Sequence, residues 1–428
     1  MSIFKKLTNS EDKKRLLDNY FALLLLQGFN VLLPLLTLPY LVKVLGIEKF
    51  GLVMFAQSLI IFFNLMVDFG FNLSATREVS LHRDNSPKLT EIYSAVFSAK
   101  IMLLFVSFVL LLLLVFWVDR FRSDWLLYLL SYLMVVGQMM FPIWYFQGQE
   151  KMRLVTFVNV IIKVIFTLLI FIVIKEESDY IWVPLIYGVG YIIGGVFSLY
   201  LVKKIFHQKF TWTGMALVKY YFVDSAQYFL SRVSVSLYTS ANLFILGFFV
   251  SHSAIGYYAI AEKLYMALQY IYQPITQTLY PYIAKQKNIV LFKKLFWLFI
   301  VFNLVMVVVL YIFDYHIFDL LFEQSISAIS LEVFHIFLLA ALVVVPTVFL
   351  GYPFLAALGY PKYANMSVVY GSLVHLLGLT LLAISDHITL FSVASMVVLT
   401  ESVVLLLRIY WIGKVGLWVK QSVQKGTQ

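Results

Sequence analysis

The chain has 428 residues, no cysteine and a formal net charge of +10. Its residues are 62% hydrophobic and only 13% charged, with a mean hydropathy of +0.90, whereas soluble domains carry about 25% charged residues. That composition excludes a soluble enzyme or binding module and places the chain in lipid, and the lack of cysteine removes disulfide and thiolate chemistry.

Residues 1–15 read as an interfacial amphipathic lead-in, with Ile3, Phe4 and Leu7 set against lysines. Apolar stretches of roughly 20 residues, the length that crosses a ~30 Å hydrocarbon core, then follow one another. They predict twelve spans, at 16–42, 50–73, 92–117, 125–147, 154–174, 181–202, 218–250, 255–283, 295–315, 329–358, 364–384 and 391–413. The first is too long for a signal-peptide core and no small-residue cleavage site follows it, so it stays with the chain. The basic segment KKIFHQKF (203–210) divides the spans six and six. The expected organisation is therefore a lead-in at 1–15, an N-terminal six-helix bundle at 16–202, a cytoplasmic linker at 203–217, a C-terminal six-helix bundle at 218–413 and a cytoplasmic tail at 414–428.

Lysine and arginine favour the cytoplasmic side of a membrane. With the N-terminus inside, alternate loops hold most of the basic residues, and the outer loops hold only Lys43, Lys49, Arg120, Arg122 and Lys175. The asymmetry supports twelve spans with both termini cytoplasmic, and it sets the net charge against anionic membrane lipids. A nucleic-acid partner is not expected, because the basic residues are scattered among short loops.

Two joints look alike: VLGIEKFGLVMFA (44–56) and ILGFFVSHSAIGYYAIA (245–261). Each runs Leu-Gly, a short polar connection, an apolar residue, Gly and a new helix, which points to parallel repeats of the kind transporters are built from. Pro34, Pro39, Pro142, Pro184, Pro274, Pro281, Pro346 and Pro353 fall in or at the ends of spans, where they predict bent helices.

The mid-span ionisable residues are Asp68, Lys100, Lys163, Asp224, Arg232, Glu262, Lys263, Glu401 and Arg408. Each costs about 3 kcal/mol at a helix centre on insertion scales, so together they call for a hydrated interior, and hence a carrier or conduit. Arg232, Lys163 and Lys263 lie too deep to snorkel and are expected to face a cavity. Asp224 and Arg408, near span ends, are expected to snorkel. Cationic groups in such a cavity suit an anionic substrate, with carboxylates either neutralising them or exchanging protons. Glu262 and Lys263 point about 100° apart on a helix, so Lys263 is assigned to the substrate path and Glu262 to its support. Tyr258, Tyr265 and Tyr272, spaced by seven, share one face, suited to packing or to sugars. His375, inside a span, is expected to be packed or hydrogen-bonded. No Walker loop or metal-ligand spacing is present, so neither a metal nor a cofactor is expected. A membrane glycosyltransferase would be expected to carry larger aqueous loops.

Four segments carry a resemblance: LPYLVKVLGIEKFGLVMFAQSLIIFFNLMVDFGFNLSATREVS (38–80), FPIWYFQGQEKMR (141–153), SRVSVSLYTSANLFILG (231–247) and IGYYAIAEKLYMALQYIYQPITQTLYP (255–281). As a set they resemble the Wzx family of O-antigen and polysaccharide repeat-unit flippases, within the multidrug, oligosaccharidyl-lipid and polysaccharide exporter superfamily. The resemblance implies an all-α polytopic protein whose two six-helix bundles form a V around a central cavity. It also implies a bacterial inner-membrane location and transfer of an undecaprenyl-diphosphate-linked oligosaccharide to the periplasmic leaflet, with proton-coupled exchange one proposed mode. A polysaccharide polymerase and a chain-length regulator are the protein partners it implies. Asp68, Gly70, Arg77, Gln147, Gly148, Glu150, Lys151, Arg232, Tyr238, Asn242, Gly256, Tyr257, Tyr258, Glu262 and Lys263 are the motif positions that look functional. The substrate contacts expected are Arg232, Lys263 and Lys163 for the diphosphate and Tyr238, Asn242 and Tyr258 for sugars. Asp68, Glu262, Glu401 and Lys100 form the expected ion-coupling or charge network. The rivals are a multidrug cation antiporter, expected to have an acidic cavity, a lipid II flippase, and a non-transporting scaffold for polysaccharide synthesis.

Overall fold

The computed structural model describes residues 11–322 and 324–418, and these are helical, without a strand among them. Residues 1–10 of the expected lead-in, residues 419–428 of the tail and the side chain of Tyr238 lie outside what is described. Nine stretches among the described residues are long and apolar enough to cross a membrane. The chain is thus a multi-pass membrane protein. By packing it divides into two units, Met1–Val233 and Ser234–Gln428.

The first unit opens with α1 (Glu11–Asp68), one helix that holds two of the expected spans because Gly46 bends it without a loop (φ 69, ψ 163). After this bend the run from Phe50 to Ala56 is buried on every side. Then come α2 (Phe71–Leu81), α3 (Ser86–Trp117), α4 (Asp119–Arg122), α5 (Trp125–Met139), α6 (Ile143–Gly148), α7 (Met152–Val173) and α8 (Trp182–Phe206). The unit also takes in α9 (Met215–Thr239) as far as Val233. Asn85 caps α3 by accepting the Lys88 amide, with Pro87 in the first turn. Helices α5 and α8 pack at backbone distance because glycines face each other's partners: a Cβ at Gly137 would lie 2.4 Å from the Tyr191 backbone, and one at Gly195 2.6 Å from Met140 Cβ. Small residues at such crossings replace the hydrophobic effect, which does not drive helices together in lipid.

The second unit continues with α10 (Asn242–Phe249), α11 (His252–Gln286), α12 (Ile289–Leu321) and α13 (Gln324–Leu350). A π-helical turn (Gly351–Ala356), α14 (Pro361–Ile384) and α15 (Leu390–Val415) complete it. The π turn contains Pro353, whose missing N–H removes one rung of the α-helical ladder. The 245–261 joint ends α10 in extended Val250 and restarts α11 on a Ser251 cap, after which Ile255 to Glu262 is buried apart from Tyr257. Both repeat joints therefore feed an interior helix of their own unit. The outer faces are the reverse: Phe105, Leu113, Trp117, Trp297, Val301, Tyr311 and Leu320 are exposed, as lipid-facing side chains are.

Three expected spans are broken. Span 50–73 breaks at Phe69–Gly70, span 125–147 at Met140–Pro142, and span 218–250 at Ser240–Ala241. Backbone broken at membrane depth is tolerated where it is packed in protein or lines a cavity.

Candidate functional site: a polar pocket in the first unit

Two of these breaks border one pocket of about 220 Å³. Asp68 and Asn72 come from either side of the Phe69–Gly70 break, and Gln138, Met139, Phe141 and Ile143 from around the Met140–Pro142 break. Asn64 of α1, Lys100 of α3, Asn159 and Lys163 of α7 and Tyr191 of α8 complete its polar wall. Lys100 Nζ donates to Asp68 Oδ1 at 3.2 Å, with the lysine side chain 4% exposed and the carboxylate 16%. Lys163 Nζ lies 5.9 Å from the centre of the Tyr191 ring, within reach of its π face. Three of the charges expected to matter, Asp68, Lys100 and Lys163, thus meet in one place, with two cations against one anion. Asn64, Asn72, Gln138, Asn159 and Tyr191 were not foreseen. The signal for them is the rarity of amides inside apolar spans, where a polar group needs a partner or water just as a charge does.

Asp68 opens a motif whose next residues hold α9 to the first unit. Gly70 has φ 80, and a Cβ on it would lie 2.8 Å from the Phe229 amide nitrogen and from Tyr228 Cβ. Phe69 stacks on Phe222 and Phe229 with centroids 3.9 and 4.4 Å away. Ser74 bonds Ser225 at 2.6 Å, and Arg77 reaches both oxygens of Asp224 at 3.1 Å and the Tyr228 hydroxyl at 3.0 Å. The Asp224 carboxylate, 25% exposed, is thus met at both oxygens by one guanidinium nitrogen, Arg77 Nη2. The 141–153 motif docks on α2 in the same way. Thr76 donates to the Trp144 carbonyl, Arg83 donates to the Gly148 carbonyl at 2.7 Å and pairs with Glu150 at 2.8 Å, and a Cβ at Gly148 would meet Val79 at 2.6 Å. Lys151 lies over the Phe206 ring, and Gln147 is exposed. Arg232 is exposed near the end of the unit.

In the second unit the charges are dispersed. Glu262 is 5% exposed, whereas its neighbour Lys263 is half-buried. Asn242 is buried, and its Oδ1 lies 2.9 Å from His375 Nε2, while His375 Nδ1 lies 2.8 Å from Thr400 Oγ1. The three residues join α10, α14 and α15, in keeping with a hydrogen-bonded His375. Tyr258, Tyr265 and Tyr272 are all buried, the first two against Phe337 and the third donating to Asn303. Asn242 and Tyr258 are thus buried in the packing of the second unit and do not line the first-unit pocket. Arg408 overturns its expectation outright. It does not snorkel but is 5% exposed, donating to the Ser367 hydroxyl at 2.9 Å and to the carbonyls of Thr347 and Ala364. It reaches them because Gly351 has no side chain, a Cβ there falling 2.4 Å from its Nη1. Buried Glu401 is its electrostatic neighbour.

The helices and the pocket define an all-helical membrane protein with a charged, amide-rich recess in its first unit. The chain belongs to the family described as polysaccharide biosynthesis protein, which matches residues 16–287. A protein of Escherichia coli (strain K12) named "Putative O-antigen transporter" is 32% identical over 294 residues, 66% of this chain and 70% of that one. A protein of Shigella dysenteriae with the same name is 29% identical over 62% of this chain and 67% of its own. Among solved structures, the lipid II flippase MurJ in an inward closed conformation aligns with a TM-score of 0.71, at 14% identity over 95% of this chain and 89% of that one. An inward-facing multidrug resistance MATE family transporter aligns with a TM-score of 0.66, at 12% identity over 92% and 96%. At these identities the two structures speak for the fold alone.

Proposed function

We propose that this protein is a flippase that carries an oligosaccharide repeat unit, linked to undecaprenyl diphosphate, from the cytoplasmic to the periplasmic leaflet of the bacterial inner membrane by alternating access. The observation that carries the reading is the pocket. A chain of this family gathers Asp68, Lys100 and Lys163 around an open recess at two helix breaks, whereas a charge kept for packing alone, as Arg408 is, has its surroundings filled by protein groups. Relatives named as O-antigen transporters support the glycan, and a wall with two lysines to one carboxylate is a poor host for an organic cation. In this reading Arg232 and Lys263 meet the diphosphate, and Asn242, Tyr238 and Tyr258 become available in another state of the transport cycle. The topology has twelve crossings and cytoplasmic termini: the nine apolar stretches, with Val31–Leu81 divided at Gly46, plus α9 and α11.

Deleting the gene in its own host tests this. Surface polysaccharide should be lost, lipid-linked units should accumulate in the cytoplasmic leaflet, and the wild-type gene should restore both. Normal polysaccharide in the deletion strain overturns the reading. A scaffold would leave export intact in Arg232→Gln and Lys263→Gln variants, whereas the flippase reading expects export to fall at unchanged membrane abundance.

A further inference from the structure

The pocket in the first unit is small for a lipid-linked oligosaccharide. At about 220 Å³ it falls below the ~300 Å³ where pockets for drug-sized ligands begin. A lipid-linked oligosaccharide cannot enter it whole, but one sugar ring or one phosphate group can. The wall decides between these two. Asn64, Asn72, Gln138 and Asn159 are primary amides, each offering donors and an acceptor. Hydroxyls also donate and accept, so a polyol can satisfy both ends of an amide. A phosphate group only accepts, and it would leave amide carbonyls aimed at an anion.

Charge leads to the same choice. Lys100 is already engaged by Asp68 at 3.2 Å, and that carboxylate would stand against any phosphate entering beside it. The wall as a whole carries one net positive charge, too little for a diphosphate esterified at both ends, which carries about two negative charges. Tyr191 adds an aromatic face against which the C–H side of a pyranose can lie.

We infer that this pocket is a subsite for one sugar ring of the transported glycan and not for its diphosphate. The assignment rests on the flippase reading above, and it moves Lys163 from the diphosphate, where the sequence placed it, to the sugar. Lys163 and the amides hold ring hydroxyls, while the Asp68–Lys100 pair fixes the floor of the pocket.

The test uses the full chain in lipid nanodiscs and saturation-transfer NMR with methyl glycosides of glucose, galactose, N-acetylglucosamine and glucuronic acid. At least one should give a signal that falls fivefold or more in both Asn159→Asp and Gln138→Glu, near-isosteric changes that keep the pocket's volume. Millimolar inorganic pyrophosphate should not displace it. Competition by pyrophosphate overturns the proposal, as does the lack of any glycoside signal sensitive to both variants in protein whose thermal unfolding matches wild type. Should a variant fail to fold, Tyr191→Leu replaces it and is expected to lower the same signal. Export in cells separates the two ideas. A pocket signal in a chain that does not restore export overturns the flippase reading alone, and restored export without a pocket signal overturns the sugar subsite alone.

Discussion

The two units bury charge in different ways. In the first, Asp68, Lys100 and Lys163 come from three helices to one recess at broken backbone. In the second, the Arg408 guanidinium is locked onto Thr347, Ala364 and Ser367 beside buried Glu401, and His375 is clasped between Asn242 and Thr400. Similar residue types thus serve a pocket in one unit and packing in the other. What separates them is whether the space beside the charge is an open recess or is filled by packed protein groups.

If that distinction holds, changes in the second unit damage folding first. Arg408→Leu strands two carbonyls and leaves Glu401 without its neighbouring cation, which should cost about 3–5 kcal/mol as for other broken buried pairs. Membrane abundance and the unfolding midpoint in detergent should both fall. Arg408→Lys should not rescue them, because an ammonium cannot span the same acceptors. Wild-type stability in Arg408→Leu would erase the contrast between the units.

Gly70→Ala comes next in size. It combines a left-handed backbone with a 2.8 Å approach to α9, for a loss of about 3 kcal/mol. Proteolysis of the purified protein should show α9 released from the first unit. Were the variant as resistant as wild type, the motif at 68–78 would not be the clamp described here.

The His375 clasp is worth less. Thr400→Val should cost about 1–2 kcal/mol by removing the buried hydroxyl that meets His375 and donates to the Met396 carbonyl. A double-mutant cycle with Asn242→Leu should show coupling through the ring, and strict additivity would mean that His375 does not transmit the contact. The smallest effect belongs to Arg77 and Asp224. Arg77 is 44% exposed, so their cycle should yield less than about 1 kcal/mol and weaken with salt.

Much of the fold could be read from the chain, because apolar length and loop charge mark spans whatever the packing. The breaks could not. Thr239 to Asn242 and Met140 to Pro142 lie between apolar stretches on both sides, so hydropathy runs straight through them. Charges were visible as residue types but not as positions. Arg408 was judged by its distance from the span end, when what admits it to the interior is Gly351 on another element. Gly70, Arg77 and Gly148, which the motifs present as functional, act as packing contacts around α2. The amides of the pocket carry no charge, so the pattern of ionisable residues does not mark them.

The central claim is that the first-unit pocket handles cargo. It is tested most directly by measuring, in cells with matched protein abundance, the fraction of lipid-linked repeat unit accessible from the periplasm in wild type, Lys163→Gln and exposed Lys203→Gln. A fall of about tenfold in initial rate for Lys163→Gln, equivalent to about 1.4 kcal/mol, with Lys203→Gln unchanged, is the predicted result. Equal rates in all three would contradict it.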